Sequence, residues 1–452
     1  MSRREIDCFK AYDVRGRIPD QLDEDVAYRI GRAYAVFVAA KKVVVGYDIR
    51  LSSPEISAAL TRGLNEGGCE VFDLGLCGTE EVYFATQHFA MDGGIAVTAS
   101  HNPPDYNGMK FVREESRPIS GDSGLFEIRD LAAAGDFTLA GAVGGMHELD
   151  ARPAYVQHLL SYIDPASLQP LKIVVDPGNG GAGLVVNALQ PHLPFDFVKI
   201  HDQPDGTFPN GVPNPLLPEN RSATAAAIRE SGADFGVAWD GDFDRCFLFD
   251  ENGGFIEGYY IVGLLAEAML AKYPGAKIIH DPRLTWNTID LVSALGGTPV
   301  QSKTGHAFIK ERMRAEDAVY GGEMSAHHYF RDFGYCDSGM VPWLLVSQII
   351  SRSGKTLSQL VGERMSMYPA SGEINRRVKS VEDVLDAVGR RYQPAALGID
   401  RTDGLSMEFA DWRFNLRGSN TEPLLRLNVE TRADPALMER RRDELLALIE
   451  SI

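Results

Sequence analysis

The chain has 452 residues, of which 44% are hydrophobic and 24% are charged, and its formal net charge is −18. This length is too great for a single hydrophobic core and predicts about three or four domains. Because nucleic acid and anionic lipid bind clusters of lysine and arginine, the strong negative charge argues against both as partners.

The sequence predicts neither export nor membrane insertion. Its N-terminal residues are mixed and polar, and its longest apolar stretches are too short to cross a bilayer. Five scattered cysteines without a Cys-x-x-Cys pair are typical of buried residues in a reducing compartment. We therefore predict a cytoplasmic protein. The sequence does not specify the oligomeric state, and a monomer is compatible with it.

A short β-branched run that follows a lysine and ends in aspartate occurs three times. The runs are residues 42–48, 172–176 and 277–281. Each predicts a buried strand, and a later apolar strand in each unit leads into a polar loop containing Ser100, Asp240 or Glu323. Three related α/β units are predicted. Ligands bind beyond the carboxyl ends of such strands, so the loops are expected to face one cleft, although any single loop could be an ordinary surface turn.

The pattern changes after about residue 367. A strand from residue 373, a hairpin near Asp403, two further strands and a helix capped by Asp434 indicate a small α+β domain. We expect the apolar stripe of that helix to lie in the core. The stripe consists of Leu445, Leu448, Ile449 and Ile452. The predicted domains are residues 1–148, 149–253, 254–366 and 367–452.

The first loop that can carry chemistry runs from Thr98 to Lys110. Ser100 follows a buried strand in a segment stiffened by two prolines and an Asn-Gly turn, so its hydroxyl would be held in one orientation, as suits a nucleophile. The alternative is a serine turn that only satisfies backbone groups, and this loop alone does not decide between the two.

The second loop, Asp240 to Arg245, places three carboxylates at alternate positions. Asp240, Asp242 and Asp244 can converge on one hard cation, whereas without a cation they would repel one another. An EF-hand is rejected because Arg245 occupies the position that requires glycine and because a strand follows. Three protein oxygens suit Mg²⁺, with a phosphoryl oxygen completing its coordination.

The third and fourth loops offer groups that suit a sugar phosphate. Glu323, Ser325 and His327 suit vicinal hydroxyls, and this interpretation is favoured over a metal site at the adjacent histidines because no third ligand is evident nearby. The segment from Arg417 to Thr421 combines a guanidinium with hydroxyls and an amide, which suit a phosphate dianion. By itself this segment could also be a plain polar turn.

Further polar residues lie outside these loops. Arg15 follows Tyr12 near the start of the chain, and Arg283 and residues 303–306 belong to the third unit. Arg15, Arg283 and His306 could supply positive charge or transfer a proton, although a structural salt bridge or a helix cap explains each of them equally well.

The four loops together with Lys10–Asp13 resemble the alpha-D-phosphohexomutase family, in its bacterial phosphomannomutase and phosphoglucomutase branch. The resemblance extends from Lys10 to Pro423 and rests on four motifs in the family's order. It implies three similar α/β domains with mixed sheets and a smaller C-terminal α+β domain around a central cleft. It also implies an isomerase that interconverts the 1- and 6-phosphates of mannose, glucose or both. The reaction would proceed through phosphoserine and a hexose 1,6-bisphosphate, which is also the activator.

The resemblance also implies a role for each residue. Ser100 would carry the phosphoryl group and, with Asp240, Asp242 and Asp244, would ligate Mg²⁺. The other residues at the reacting phosphoryl group would be His101, Lys110, Arg15, Arg245 and His306, and the sequence does not choose the proton carrier. The sugar and its phosphate would contact Tyr12, Arg283, Lys303, Thr304, Gly305, Glu323, Ser325, His327, Arg417, Ser419, Asn420 and Thr421. Ala326 stands where many relatives have glycine, which leaves the sugar preference open.

Two other functions would use the same residues. A metal-dependent sugar-phosphate phosphatase would pass the phosphoryl group from Ser100 to water, but it would gain little from a loop for a second phosphate. A non-catalytic sugar-phosphate-binding protein would not need a phosphorylated serine. The expected partners are therefore small sugar phosphates, with neither nucleic acid nor membrane among them.

Overall fold

The computed structural model describes residues 3–138, 141–418 and 424–452. Within these ranges the chain forms two compact units. The first unit comprises residues 1–255 and 329–354, and the second comprises residues 256–328 and 355–452. None of the described helices has the length and hydropathy that crossing a membrane requires.

The N-terminal part of the first unit is built on a six-stranded mixed sheet. Its elements are β1 (Val14–Arg17), α1 (Glu24–Val38), β2 (Lys42–Tyr47), α2 (Ser53–Glu66), β3 (Glu70–Leu76), α3 (Thr79–His88), β4 (Gly93–Val97), β5 (Tyr106–Arg113), α4 (Leu125–Ala134), β6 (Met146–Glu148) and α5 (Arg152–Leu160). The strand order is β1-β5-β4-β2-β3-β6, with β2 parallel to β3 and β4 and with β5 antiparallel to β4 and β1. Helices α1 and α2 pack closely, because Gly31 and Gly63 leave room for the opposing backbone.

The next part has a four-stranded sheet. Its elements are β7 (Lys172–Asp176), α6 (Ala182–Leu189), β8 (Asp196–Lys199), α7 (Ser222–Ser231), β9 (Phe235–Trp239) and β10 (Cys246–Phe249). The order is β10-β9-β7-β8, with β7 parallel to both β8 and β9 and with β10 antiparallel to β9. The acidic loop, Asp240 to Arg245, joins β9 to β10 and therefore lies at the carboxyl end of β9.

The second unit begins with a parallel α/β part. Its elements are α8 (Gly258–Lys272), β11 (Lys277–His280), α9 (Trp286–Ala294), β12 (Thr298–Gln301), α10 (His306–Glu316) and β13 (Tyr320–Gly322). Strand β11 pairs in parallel with β12 and β13, so Glu323 follows the carboxyl end of β13. The elements that follow along the chain are β14 (His328–Phe330), β15 (Cys336–Asp337), which pairs antiparallel with β14, and α11 (Val341–Ser353).

The C-terminal part of the second unit has a five-stranded antiparallel sheet. Its elements are α12 (Leu357–Met367), β16 (Ile374–Arg377), α13 (Val381–Tyr392), β17 (Gly398–Asp400), β18 (Leu405–Glu408), β19 (Trp412–Gly418), β20 (Leu424–Thr431) and α14 (Pro435–Glu450). The order is β16-β20-β19-β18-β17. Its core is formed by sheet residues such as Phe414 and Val429 together with Val388 of α13 and Leu445 of α14.

The predicted fold class, three α/β domains with mixed sheets and a smaller C-terminal α+β domain, is confirmed. All five cysteines are buried and free, and Asp434 caps α14 as predicted. The prediction that the whole stripe of α14 lies in the core is wrong for Ile452, which is 42% exposed. The helix ends at Glu450, so helical spacing no longer places residue 452 on the buried face. The domain boundaries stay predictions.

Candidate active site

Each of the three repeated strands is followed or closed by an aspartate that orders the turn after it. One carboxylate oxygen accepts the backbone N–H two residues later, which is the usual aspartate turn. The bonds are Asp48 with Arg50 at 3.0 Å, Asp176 with Gly178 at 3.0 Å and Asp281 with Arg283 at 2.8 Å. The aspartate at the end of each repeated run thus has the same structural role in all three places.

Ser100 lies just beyond the carboxyl end of β4 and is buried. Its φ of +49° is in the left-handed region, which is uncommon for a residue with a Cβ and points to a backbone held by its surroundings. The hydroxyl donates a hydrogen bond to Asp240 Oδ2 at 2.8 Å and lies 3.1 Å from His101 Nδ1. The predicted nucleophile and the first predicted metal ligand are therefore in direct contact.

The three aspartates of the acidic loop converge. Asp240, Asp242 and Asp244 are each 1% exposed, and one oxygen of each lies within 4.8 Å of the others. Buried carboxylates this close together repel one another unless cations compensate them. Lys110 donates to Asp242 Oδ2 at 2.7 Å and also to Asp244, while Arg245 donates to Asp240 Oδ2 from Nε at 2.9 Å and from a terminal nitrogen at 2.6 Å.

A divalent metal fits this cluster. Two cations leave one of the three carboxylate charges uncompensated, and a phosphorylated serine would add a further charge of about −1.5 to −2. The available donors are oxygens, which hard divalent cations prefer. Moreover, Asp242 Oδ1 is buried and has no hydrogen-bond partner among the described residues. The four residues predicted as metal ligands are thus close together, and Asp242 Oδ1 is available to bind a metal.

The groups around Ser100 differ in their protonation. Burial raises the pKa of Asp240 to about 6. Burial acts on Asp242 in the same direction, but the Lys110 ammonium and the Thr79 hydroxyl together bring its pKa below the ordinary value. Burial, with the charges of Arg245 and Arg15, lowers the pKa of His101 well below its usual value. His101 is therefore neutral near pH 7, and its Nδ1 can accept the N–H of Arg245 at 2.5 Å.

Arg15 supports the serine loop, residues 98–106, which joins β4 to β5. Its Nε donates to Asp13 at 2.8 Å, and a terminal nitrogen contacts the side chain of Asn102 and the carbonyl of Ala99, the latter at 3.4 Å. Tyr12 is half-buried in the same segment. Arg15 is therefore engaged with the loop that contains Ser100, and its role at the site stays a prediction.

Sequence reasoning missed the residues that hold the acidic loop. Thr79, at the start of α3, donates from Oγ1 to Asp242 Oδ2 at 2.6 Å and from its backbone N–H to the Asp242 carbonyl at 3.2 Å. Phe243 has a φ of +46° and packs against Gly78, where any Cβ would overlap the ring. A threonine at a helix start predicts only a cap, so its contact with Asp242 could not be predicted from the sequence.

In the second unit, Glu323 is the centre of the predicted sugar loop. Its Oε1 accepts the N–H of Gly305 at 3.0 Å and lies 3.5 Å from the Arg283 guanidinium. Arg283 also donates to Ser325 Oγ at 3.2 Å, and His327 Nδ1 lies 3.4 Å from Glu323 Oε2. Five residues predicted to contact the substrate are therefore neighbours.

The remaining predicted residues of this part surround that group. Thr304 is buried beside Gly305, and His306 begins α10 with its ring centre 6.4 Å from that of His327. Lys303 is exposed, and its ammonium lies 4.6 Å from the centre of the Phe308 ring. The segment thus presents one exposed cation next to a buried polar cluster.

Arg417 belongs to a cluster of arginines around Glu373, a residue that sequence reasoning also missed. The guanidinium nitrogens of Arg283, Arg417 and Arg426 lie 3.4, 3.8 and 3.3 Å from the Glu373 carboxylate. Burial and the nearby Arg283 lower the pKa of Arg417. Asp281 and Asp403 also pair with Arg283 and Arg417, so the charges of the guanidinium groups are compensated by carboxylates. The cluster nevertheless offers several guanidinium N–H donors, which suit an anion such as phosphate. The predicted Ser419, Asn420 and Thr421 lie outside the described residues.

Family models match four successive parts of the chain. They are described as phosphoglucomutase/phosphomannomutase alpha/beta/alpha domain I at residues 7–138, domain II at 153–254, domain III at 257–368 and the C-terminal domain at 373–448.

Whole-length relatives agree with these matches. The chain is 61% identical over 453 residues to a phosphomannomutase of Salmonella montevideo, with 99% of each chain covered. It is 60% identical over 444 residues to a protein of Xanthomonas campestris pv. campestris named "Phosphohexose mutases", and the match covers 98% of this chain and 99% of the relative. The crystal structure of a phosphoglucomutase/phosphomannomutase family protein from Burkholderia thailandensis superposes with a TM-score of 0.89 at 34% identity, covering 99% of this chain and 98% of that one.

The chain therefore belongs to the phosphoglucomutase/phosphomannomutase family, the alpha-D-phosphohexomutases. It is accordingly a phosphohexomutase, an isomerase that acts by phosphoryl transfer.

Proposed function

We propose that this chain interconverts the 1- and 6-phosphates of mannose, glucose or both, with the phosphoryl group carried on Ser100. The observation that carries this proposal is the 2.8 Å contact of the Ser100 hydroxyl with Asp240, inside a buried group of three carboxylates and two cations. A serine held in this way has no rotational freedom to lose when it reacts. Sugar phosphates suit a mutase, and a cytoplasmic location belongs to the same proposal.

Mg²⁺ is the metal proposed for the acidic loop. Asp240, Asp242 and Asp244 would hold it together with an oxygen of Ser100, and the bound ion would neutralise charge on the phosphoryl group during transfer. Lys110 and Arg245 supply positive charge from fixed positions at the same carboxylates. Because these cations are already ordered, they cost no reorganisation during the reaction.

The proposed cycle consists of two transfers. In the first, the bond between phosphorus and Ser100 Oγ breaks while phosphorus bonds to the free hydroxyl oxygen at C1 or C6, which gives a hexose 1,6-bisphosphate. The second transfer returns the other phosphoryl group to Ser100 after the bisphosphate has reversed its orientation, so free bisphosphate also serves as activator. The proton of the attacking hydroxyl goes to a base, for which His101 and His306 are candidates. Lys110, predicted as a third candidate, is held as an ammonium by Asp242 and Asp244 and has no free lone pair.

The second unit would recognise the sugar phosphate in both orientations. Glu323 and Ser325 offer a carboxylate and a hydroxyl, which accept or donate to whichever pair of sugar hydroxyls faces them. Arg417, with the predicted Ser419, Asn420 and Thr421, is proposed to hold the phosphate that is not reacting. The grouping of Arg417 with Arg283 and Arg426 supports this role, because several guanidinium groups offer bidentate contacts to a dianion.

Initial rates with mannose 1-phosphate and glucose 1-phosphate, with Mg²⁺ and a trace of bisphosphate, test the proposal. We expect isomerisation without release of inorganic phosphate, and loss of nearly all activity in Ser100→Ala and in Asp242→Ala. Ser366→Ala, which removes an exposed hydroxyl on α12, is the matched control and should be fully active. Stoichiometric release of inorganic phosphate would instead indicate a phosphatase.

A further inference from the structure

Arg50 is a buried guanidinium that the proposed cycle does not use. It is 1% exposed, and its terminal nitrogens donate to four backbone carbonyls of the serine loop. The acceptors and distances are Ser100 at 2.9 Å, Asn102 at 2.7 Å, Pro103 at 2.7 Å and Tyr106 at 2.9 Å. Burying a charge is costly unless it is fully compensated. Arg50 therefore holds the loop in one conformation, and the loop in turn stabilises the charge.

Asp48 connects the same guanidinium to the backbone of Ser100. Its Oδ2 lies 3.3 Å from Arg50 Nε and accepts the Thr98 hydroxyl at 2.7 Å. The Thr98 oxygen in turn accepts the backbone N–H of Ser100 at 2.9 Å. Both the N–H and the carbonyl of Ser100 are therefore fixed by the Asp48–Arg50 pair, directly or through one side chain.

The opposite side of Ser100 is also closed. A Cβ at Gly241 would lie only 2.5 Å from the Ser100 carbonyl oxygen, so the acidic loop passes directly over that peptide. The Arg50 guanidinium lies 5.4 Å from the ring centre of Phe208, which is buried. The Ser100 carbonyl is thus enclosed between Arg50 and the acidic loop, and the left-handed φ of Ser100 has no room to relax.

The internal repeat supports a functional interpretation of this pair. Asp48-Ile49-Arg50 and Asp281-Pro282-Arg283 occupy the same place after equivalent strands, and in both the aspartate accepts the arginine N–H. Arg283 donates to Ser325 of the sugar loop, whereas Arg50 donates to the serine loop. In both domains the arginine after the strand orders the polar loop of a neighbouring strand.

We infer that Asp48, Arg50 and Thr98 form a positioning group that sets the direction of the Ser100 hydroxyl for phosphoryl transfer. None of the three would touch the sugar phosphate. This inference rests on the proposed role of Ser100 as the phosphoryl carrier. Because a displacement of about 1 Å at a reacting atom can cost on the order of 10²-fold in rate, a looser loop should slow the transfer step and leave substrate binding unchanged.

The test compares Thr98→Val with Thr98→Ser. Valine keeps the shape of threonine but loses the link between Asp48 and the Ser100 N–H, whereas serine keeps the hydroxyl. Arg50→Lys replaces the planar guanidinium with an ammonium, whose three N–H groups cannot bond to all four carbonyls. Its control is Arg113→Lys, the same substitution at the exposed end of β5. Each purified protein is phosphorylated with hexose bisphosphate, the phosphate on Ser100 is counted by mass spectrometry, and the rate of one turnover is measured per phosphorylated site.

We expect Thr98→Val and Arg50→Lys to lower the single-turnover rate on the order of 10²-fold. The KM for the hexose phosphate should not change, and Thr98→Ser and Arg113→Lys should match the wild type. A Thr98→Val protein as fast as Thr98→Ser, with phosphate on Ser100 in both, would overturn the positioning role while leaving the proposed function intact. A wild-type protein that never carries phosphate on Ser100 would instead overturn the proposed function.

Discussion

Left-handed backbone at residues with a Cβ occurs in each of the three functional loops that the structure describes. Ser100, Phe243 and Ala326 have φ values of +49°, +46° and +69°. Each such conformation costs on the order of 1–3 kcal/mol and persists only where the surroundings impose it. At Ser100 those surroundings are Arg50 and Gly241, and at Phe243 they include Gly78. The loops proposed to carry the phosphoryl group and the metal thus contain strained residues that neighbouring residues hold in place.

The hydroxyl of Thr79 is predicted to tune metal binding. It donates to the same oxygen of Asp242 that Lys110 contacts, at 2.6 Å. Residues that orient metal ligands in this way typically contribute about 10- to 100-fold to metal affinity. We expect Thr79→Val to raise the Mg²⁺ concentration that gives the half-maximal rate by about 10- to 100-fold. In Thr79→Ser this concentration should stay near the wild-type value. Superimposable Mg²⁺ titrations for the two variants would contradict this role.

The guanidinium of Arg417 is predicted to contribute binding energy rather than chemistry. A hydrogen bond to a charged group contributes roughly 1.5–3 kcal/mol, so Arg417→Ala should raise KM about 10- to 100-fold with little change in kcat. Arg376→Ala, on the neighbouring part of the same sheet and ion-paired with exposed Glu450, is the control. A variant whose kcat falls while its KM is unchanged would assign Arg417 to the transfer step instead.

At the scale of elements, the site depends on loops that approach one another closely. The acidic loop after β9 crosses the serine loop after β4 at Gly241, and α3 contacts the acidic loop through Thr79. Such approaches need a small residue at the crossing point, because a Cβ there would displace backbone rather than a flexible side chain. The contact between the loops is thus set by backbone geometry.

Gly241→Ala is expected to separate the serine from the acidic loop. The added methyl group would collide with the Ser100 carbonyl, so we predict a loss of kcat on the order of 10²-fold, with a folded protein of near-normal secondary structure. Gly362→Ala on α12, where an added Cβ meets no atom within 4 Å, is the control and should be active and slightly more stable. Equal kcat values for the two variants would rule out the close crossing.

A second link between elements is predicted to depend on pH. Glu80 of α3 is fully buried and accepts the Gly339 N–H at 2.5 Å and the Tyr155 hydroxyl, which ties α3 to the loop before α11. Burial raises the pKa of Glu80 to about 8, whereas the unfolded carboxyl group has a pKa near 4.5. Between these values the folded chain keeps a proton that the unfolded chain has lost, so stability falls as the pH rises.

Thermal unfolding measured from about pH 5 to pH 9 tests this link. The Tm of the wild type should decrease with rising pH more steeply than that of Glu80→Gln, because the amide does not titrate. The difference corresponds to a change in the free energy of unfolding of a few kcal/mol at most. If the difference between the two Tm values were independent of pH, Glu80 would not exchange its proton on unfolding.

On the scale of the whole molecule, much of the fold follows from local patterns. The runs at 42–47, 172–176 and 277–280 and the strand 235–239 are strands in the structure, because β-branched residues between turn signals specify buried strands directly. The loops after them were also predictable, since the carboxyl ends of parallel strands place polar residues at one edge. Ser100 and the three aspartates could be selected as candidates on this basis, and the family resemblance implied their roles. The 2.8 Å contact between Ser100 and Asp240 could not be predicted.

What the sequence could not show are contacts set by tertiary packing. Arg50 and Thr79 come from a strand-end turn and a helix start, and neither position has a composition that predicts contact with a loop 50 or 163 residues away. Glu373 was predicted only as the start of a strand, yet it lies among three arginines. Such residues become visible only when the sheets bring distant turns together.

Following a labelled phosphoryl group through the protein shows whether Ser100 carries it between the two positions of the sugar. Purified enzyme is incubated with hexose 1,6-bisphosphate carrying radioactive phosphate, freed of ligand, and then mixed with unlabelled glucose 1-phosphate and Mg²⁺. We expect label on Ser100 that moves to hexose bisphosphate and then to hexose 6-phosphate. Label that appears only as inorganic phosphate, or a protein that takes up label at a residue other than Ser100, would contradict it.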